Sequence, residues 1–171
     1  MTFVSTDIRK ISGNFVQLIG YDWMLITAGK PDDYNTMTAA WGSIGFLWKK
    51  PVAMIFIRPQ RHTFQFVEKY DDFSLCFFDK HYRPVLDFCG SHSGRDTDKA
   101  GETGLTPAMS PSGIIYFEQA RMVIECRKVY FDDMKPARFL DDSIDKNYPL
   151  KDYHRMYIGF ITDCRIKQAQ A

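Results

Sequence analysis

Strand-like segments dominate this chain and do not alternate regularly with helices, and that limits its fold more than any other feature. WMLITAG (23–29), PVAMIFIRP (51–59), FSLCFF (73–78), ARMVIECRKVYF (120–131) and YIGFITDCRIK (157–167) are rich in β-branched and aromatic residues. In the fourth, Met122, Ile124, Cys126 and Lys128 alternate with Val123, Glu125, Arg127 and Val129, so one face is expected to be less buried than the other. Two runs read as helices. Residues 62–70 place Phe66 and Tyr70 four apart, with Thr63 positioned to cap the start. Residues 82–90 put Val85, Leu86 and Cys89 on one side and end at Gly90. A third, weaker helix is expected over 136–144. This pattern argues against a doubly wound parallel sheet. It favours a single domain over residues 1–171, mainly β, built as an antiparallel barrel with helices on its outside.

Charge and cysteine usage exclude several function classes. The net charge of +1 gives no overall field to attract nucleic acid or a membrane, so any anion site must be local. No segment approaches the roughly 18 unbroken apolar residues of a membrane span. Asp7, Arg9 and Lys10 lie where a signal peptide needs an apolar stretch, so a cytoplasmic location is expected. Cys76, Cys89, Cys126 and Cys164 are far apart and form no CxxC pair, which suits buried reduced thiols. The histidines show no metal-ligand spacing, and His81 and His92 are expected to be exposed and inert. No metal site is expected. Aromatic residues reach 15%, which suits a large core, an oligomer interface or a flat ligand.

Three stretches carry chemistry. In MIFIRPQRHTFQFV (54–67) an apolar strand surfaces at Arg58 and meets Arg61, His62 and Thr63 before a helix begins. Helix amino termini attract phosphate through free N–H groups and the helix dipole, and arginine adds a planar fork for phosphate oxygens. The same pattern fits a solvated strand end with surface arginines. SHSGRDTDK (91–99) combines hydroxyls, a glycine for close backbone approach, Arg95 and Lys99, but lacks the spacing of a P-loop or a dinucleotide fingerprint. It lies within a polar segment, 90–104, too long for a simple turn. NTMTAAWGSIGFLW (35–48) alternates small and hydroxyl residues between aromatic bulk. Such residues let a flat ring lie against the backbone, and they equally suit a tightly packed strand pair.

The order NTMTAAWG, KKPVAMIFIRPQRHTFQFVEK, FSLCFF, CGSHSGRDTDKAGETGLTP, ECRKVY and HRMYIGFITDC resembles the flavin reductase-like family of FMN-binding split barrels, which includes the flavoredoxins. The likeness runs from about residue 12 to 167. The resemblance implies a six-stranded antiparallel Greek-key barrel, a homodimer and FMN near the subunit interface. By position it assigns Thr36, Met37, Thr38, Ala39, Ala40 and Trp41 to the isoalloxazine ring, and Asn35 beside them to cofactor binding. Arg58, Arg61, His62 and Thr63 fall at the phosphate and ribityl end, and Ser93, Gly94, Arg95 and Lys99 in the loop that closes over the flavin. Lys99, with Arg95 as competitor, is the candidate cation beside the negative charge of a reduced flavin. His154 falls where many family members carry a histidine ahead of an apolar-glycine strand, as a flavin or nicotinamide contact or as a strand-start residue bonding nearby backbone. No side chain is assigned as acid, base or nucleophile, because in such chemistry the cofactor reacts and the protein positions it.

The resemblance implies an oxidoreductase passing a hydride or electrons from NADH, NADPH or a protein donor through FMN to free flavin, a ferric chelate or a partner protein. An FMN-binding electron carrier without nicotinamide turnover would carry the same residues. So would a split barrel that holds another ligand. Tyr130, Phe131 and the run Phe46–Trp48 suit either a subunit interface or a core.

Overall fold

A computed structural model describes residues 2–168. In chain order the elements are β1 (Thr2–Ser5), α1 (Phe15–Gln17), β2 (Met24–Lys30), β3 (Asp33–Ala39), β4 (Gly42–Leu47), β5 (Lys50–Ile57), α2 (His62–Lys69), β6 (Asp72–Phe77), α3 (Arg83–Ser91), α4 (Lys99–Thr103), β7 (Pro107–Met109), β8 (Ile115–Phe117), β9 (Met122–Asp133) and β10 (Arg155–Gln168). The main sheet runs β3-β2-β6-β9-β10-β5-β4, all antiparallel, and β1 pairs with the far end of β10. β3 and β4 end this path without pairing to each other, so the sheet is open. The mainly β, split-barrel architecture with outlying helices is as expected. The resemblance implied six strands and the sheet has eight: β1 joins β10, and the stretch 35–48 is divided between β3 and β4.

The strands build two cores. Along β2, Met24, Ile26 and Ala28 face the larger cluster with Ile55, Phe73, Leu75, Ile124 and Tyr157, while Leu25 points to the other side. On that side Leu25 meets Cys76, Val123, Phe117, Leu86 and Cys89 under α3 and the β7–β8 hairpin. Both faces of Met122–Cys126 are therefore buried, against the expectation of one less-buried face. Glu125 is the polar member of that stretch, and it pairs with Arg165, itself buried. All four cysteines are buried and unpaired.

The sequence expectation of a helix over 136–144 fails. The segment forms two 3-10 turns, Pro136–Arg138 and Asp142–Asn147, with Phe139 extended between them. Asp141 caps the second turn by accepting from the Ser143 N–H, which starts a new turn instead of continuing the first. Segment 90–104 is less irregular than expected, since α3 continues to Ser91 and α4 begins at Lys99. No helix among the described residues is long and apolar enough to cross a membrane.

Gly159 marks a tight crossing beside the larger core. It sits at a register shift between β9 and β10, and a Cβ there would lie 2.8 Å from the Phe73 ring and 2.9 Å from Cys126 Cβ. Gly159→Ala should therefore lower unfolding free energy by about 2 kcal/mol, read as a lower denaturant midpoint. Adding Phe73→Leu should recover part of the loss. An unchanged midpoint for Gly159→Ala contradicts this packing.

Candidate functional site

Pro59 cannot continue the β5 ladder, and the chain turns where it stands. Arg61 N–H returns to the Arg58 carbonyl at 3.0 Å, and α2 begins at His62 with Arg61 as its N-cap. The Arg61 side chain makes no capping bond, so it does not cover the helix start. Thr63, expected as the cap, lies inside the first turn. Its hydroxyl instead accepts from Asn35 Nδ2 at 2.7 Å, which ties α2 to β3.

Two cavities meet at this turn. The first, about 390 Å³, is lined by Met37, Thr38, Ala39, Ala40 and Trp41 on one side, by Phe56, Arg58, Gln60 and Arg61 on the other, and by His154. The second, about 140 Å³, is lined by His62 and Thr63 of α2, by Ser91, His92, Ser93, Gly94 and Arg95, and by Lys99. Met37, Gln60 and Arg61 line both, so the two form one cleft with a broad half and a narrow half. The three separate stretches singled out in the sequence thus converge on one cleft.

The narrow half is cationic. Lys99 is only 6% exposed, and its Nζ donates to the carbonyls of Thr36 at 2.8 Å and Cys89 at 2.9 Å. An ammonium has three N–H donors, so one remains. Burial, helped by the nearby Arg61 charge, pulls its pKa down to about 8. Arg61 donates to the Gly90 carbonyl at 2.6 Å, and Arg95 to the Gln60 carbonyl at 3.2 Å. Among the described residues no carboxylate forms an ion pair with Arg61, Arg95 or Lys99. His62 feels the result. Burial first, then the charges of Arg95 and Lys99, hold its pKa below the ordinary value, with Asp96 and Asp33 opposing. Its Nδ1 is buried with no hydrogen-bond partner.

Gly94 lets the loop close. A Cβ at this position would fall 1.9 Å from Asn35 Oδ1, so the backbone lies directly on the Asn35 carboxamide. That carboxamide holds Thr63, and the contact fixes the loop, β3 and α2 together.

Arg58 does not join the cationic half as expected. It lines the broad half, where its guanidinium pairs with Asp152 at 2.8 Å and donates to the Asn147 carbonyl at 2.8 Å. Gln60 also donates to Asp152. Asn35 and Thr36 line neither cavity. The Thr36 hydroxyl bonds Thr27 at 2.9 Å and the Ile26 carbonyl at 3.2 Å, and the Thr38 hydroxyl bonds the Leu86 carbonyl at 2.5 Å. From this stretch, Met37, Thr38, Ala39, Ala40 and Trp41 line the broad half. β3 is an edge strand, so one side of its backbone has no strand partner.

His154 lines the broad half only. It is 8% exposed, lies 4.9 Å from the Trp41 ring, and shares a 2.9 Å hydrogen bond with the Tyr148 hydroxyl through Nδ1. Burial, with the Arg58 charge adding, lowers its pKa to about 4, so the ring is neutral at physiological pH. The sequence offered no signal for Gln60, Tyr148 or Asp152, because their roles come from contacts across the fold. His92, expected to be inert, is exposed but forms part of the narrow wall, stacked on Phe88 at 3.9 Å.

The family model described as "Flavin reductase like domain" matches residues 17–171. Among solved structures, the chain is similar to a flavoredoxin of Desulfovibrio vulgaris (Miyazaki F), at 21% identity and a TM-score of 0.67, covering 85% of this chain and 69% of that one. It is also similar to an FMN-binding domain of a flavin reductases-like enzyme from Shewanella baltica, at 15% identity and a TM-score of 0.70, covering 96% and 77%. A third is an NADH:FAD oxidoreductase of Streptomyces globisporus in complex with NAD and FAD fragments, at 13% identity and a TM-score of 0.64, covering 88% and 77%. No curated protein sequence matches the chain.

The low His154 pKa sets a pH dependence. The unfolded chain takes up a proton near the ordinary imidazole value of about 6.5, whereas the folded chain does so only near 4. Stability is therefore unaffected by this group above about pH 7 and falls as pH drops from about 6.5 toward 4. The stability advantage of the parent chain over His154→Gln should shrink by about 3 kcal/mol between pH 7 and pH 4. A difference that stays constant over this range in denaturant titrations contradicts the burial of a neutral His154.

Proposed function

This chain belongs to the flavin reductase-like family, and on that premise we propose that it is an FMN-dependent oxidoreductase. Electrons would come from NADH, NADPH or a protein donor, and would leave to free flavin, a ferric chelate or a partner protein. The observation that carries this reading is the joining of two unlike half-sites. A narrow cavity walled by Arg61, Arg95 and Lys99, free of paired carboxylates, opens into a broad one floored by Met37, Ala39 and Ala40. The first suits a dianionic phosphate at a helix start, and the second suits a flat ring.

Bound FMN would supply the redox chemistry. The chain's own residues would do the rest. Arg61, Arg95 and the free Lys99 N–H would hold the phosphate, with His62 and Thr63 at the α2 start beside it. Gly94 would let the loop approach, and the unpaired edge of β3 would offer backbone groups to the ring. Lys99 lines the narrow half, next to Arg61, which lines both, and its ammonium would favour added negative charge on the bound cofactor. Arg58, neutralised by Asp152, would shape the cleft instead of binding the phosphate. The fold carries no dinucleotide fingerprint, so a nicotinamide would dock over the exposed ring face.

The same reading includes a homodimer. Phe46 and Trp48 are 68% and 52% exposed, and the Trp48 ring lies 6.2 Å from Tyr130, which is also exposed. An apolar patch of this kind favours a second copy, and light scattering should return twice 19.9 kDa. A cytoplasmic location fits the four buried, unpaired cysteines.

Purified protein should be yellow or become so with FMN. Arg61→Ala and Arg95→Ala should each weaken FMN by on the order of 10- to 100-fold and leave riboflavin, which lacks the phosphate, nearly unchanged. Equal losses for both ligands contradict the phosphate assignment. Anaerobic mixing with NADH or NADPH then separates the enzyme from a simple carrier. Flavin bleaching on the timescale of turnover supports the enzyme, and its absence with both donors supports the carrier.

A further inference from the structure

Behind the broad half of the cleft lies Tyr148, only 2% exposed although it belongs to an irregular segment. Its ring is gripped from several sides: Trp41 lies 6.4 Å away edge-on, Phe139 stacks at 6.2 Å, Tyr153 lies at 4.9 Å, and the Arg58 guanidinium sits 5.0 Å over its face. The segment carrying it is itself tied down, since Arg58 holds the Asn147 carbonyl and Asp152. A side chain fixed this firmly can direct a neighbour.

That neighbour is His154. The Tyr148 hydroxyl has two partners within reach, His154 Nδ1 at 2.9 Å and Met134 Sδ at 3.4 Å. An imidazole nitrogen is a much stronger acceptor than a thioether, so the hydroxyl proton belongs to Nδ1. A neutral imidazole that accepts at Nδ1 carries its hydrogen on Nε2. His154 lines the cleft, and its Nε2 has no protein partner among the described residues. The charged groups near it are Arg58 and Asp152, which neutralise each other.

We propose that Tyr148 is a positioning residue: its hydroxyl locks His154 in the Nε2–H tautomer and presents that N–H to a carbonyl or ring-nitrogen acceptor of the heterocycle in the cleft. The identity of that heterocycle rests on the flavin reading above, whereas the Tyr148–His154 lock does not. The lock gives the broad half a neutral hydrogen-bond donor, whereas Arg95 and Lys99 line only the narrow half. It therefore favours ligands with an acceptor edge at one end and an anion at the other.

Nitrogen-15 NMR of the imidazoles in ligand-free protein near neutral pH tests the lock. His154 should show one fixed tautomer with hydrogen on Nε2, and Tyr148→Phe should convert it to an average of the two tautomers. An averaged or Nδ1–H signal in the parent chain, or an unchanged signal in Tyr148→Phe, overturns the proposal. Uniform 3-fluorotyrosine labelling keeps every ring in place and strengthens the hydroxyl as a donor. It should shift His154 Nδ1 and not His92, whose Nδ1 lies near Ser91 and the Phe88 carbonyl; an unmoved His154 Nδ1 also overturns the lock. FMN added to protein that binds it should shift the Nε2–H signal, and no response overturns the presentation to the ligand. Failure to bind FMN at all contradicts the proposed function instead, and the ligand-free tautomer still decides the role of Tyr148.

Discussion

Burying an ammonium with no carboxylate beside it is expensive, and Lys99 does so next to Arg61. Two carbonyls, from Thr36 and Cys89, offset part of that cost and leave the charge uncompensated. Everything around the narrow half of the cleft follows from holding this charge in place. α4 must start at Lys99, which Asp98 secures by accepting from the Gly101 N–H. β3 must offer the Thr36 carbonyl, and α3 must end so that Cys89 and Gly90 turn their carbonyls toward Lys99 and Arg61. A buried cation left unneutralised gains electrostatic stabilisation from an anion brought beside it, and the proposed function rests on that.

The opposite end of the cleft obeys the reverse logic. There the charges of Arg58 and Asp152 cancel, His154 is neutral, and aromatic rings fill the wall. The cleft thus has a polarity: uncompensated positive charge at one end, a neutral lining at the other, and small residues of an edge strand between them. The sheet makes this possible by staying open. Because β3 and β4 do not pair, the chain between them, Ala40 and Trp41, forms a wall of the cleft instead of a strand junction.

Much of this was legible in the sequence, for local reasons. β-branched runs announce strands because their side chains suit a pleated, packed surface, and all five expected runs became strands. Proline after an apolar run announces a turn, and the turn is where Arg61, His62 and Thr63 gather. What stayed hidden depends on partners far away along the chain. Arg58 looks like a free cation until Asp152 meets it, 94 residues on. Thr63 looks like a cap until Asn35 claims its hydroxyl. Tyr148 lies in a segment with neither helical nor strand periodicity, so nothing in its neighbourhood announces that it would be buried against a histidine. Glu125 lies on one of two alternating faces of its strand, and its buried partner, Arg165, is 40 residues away along the chain.

The most direct test of the central claim is a crystal structure of the protein grown with FMN. The phosphate should lie within hydrogen-bond distance of Arg61, Arg95 or Lys99, with the ring against Met37 to Trp41 and the ring edge near His154. FMN found elsewhere, with these three cations contacting no part of it, would contradict the account.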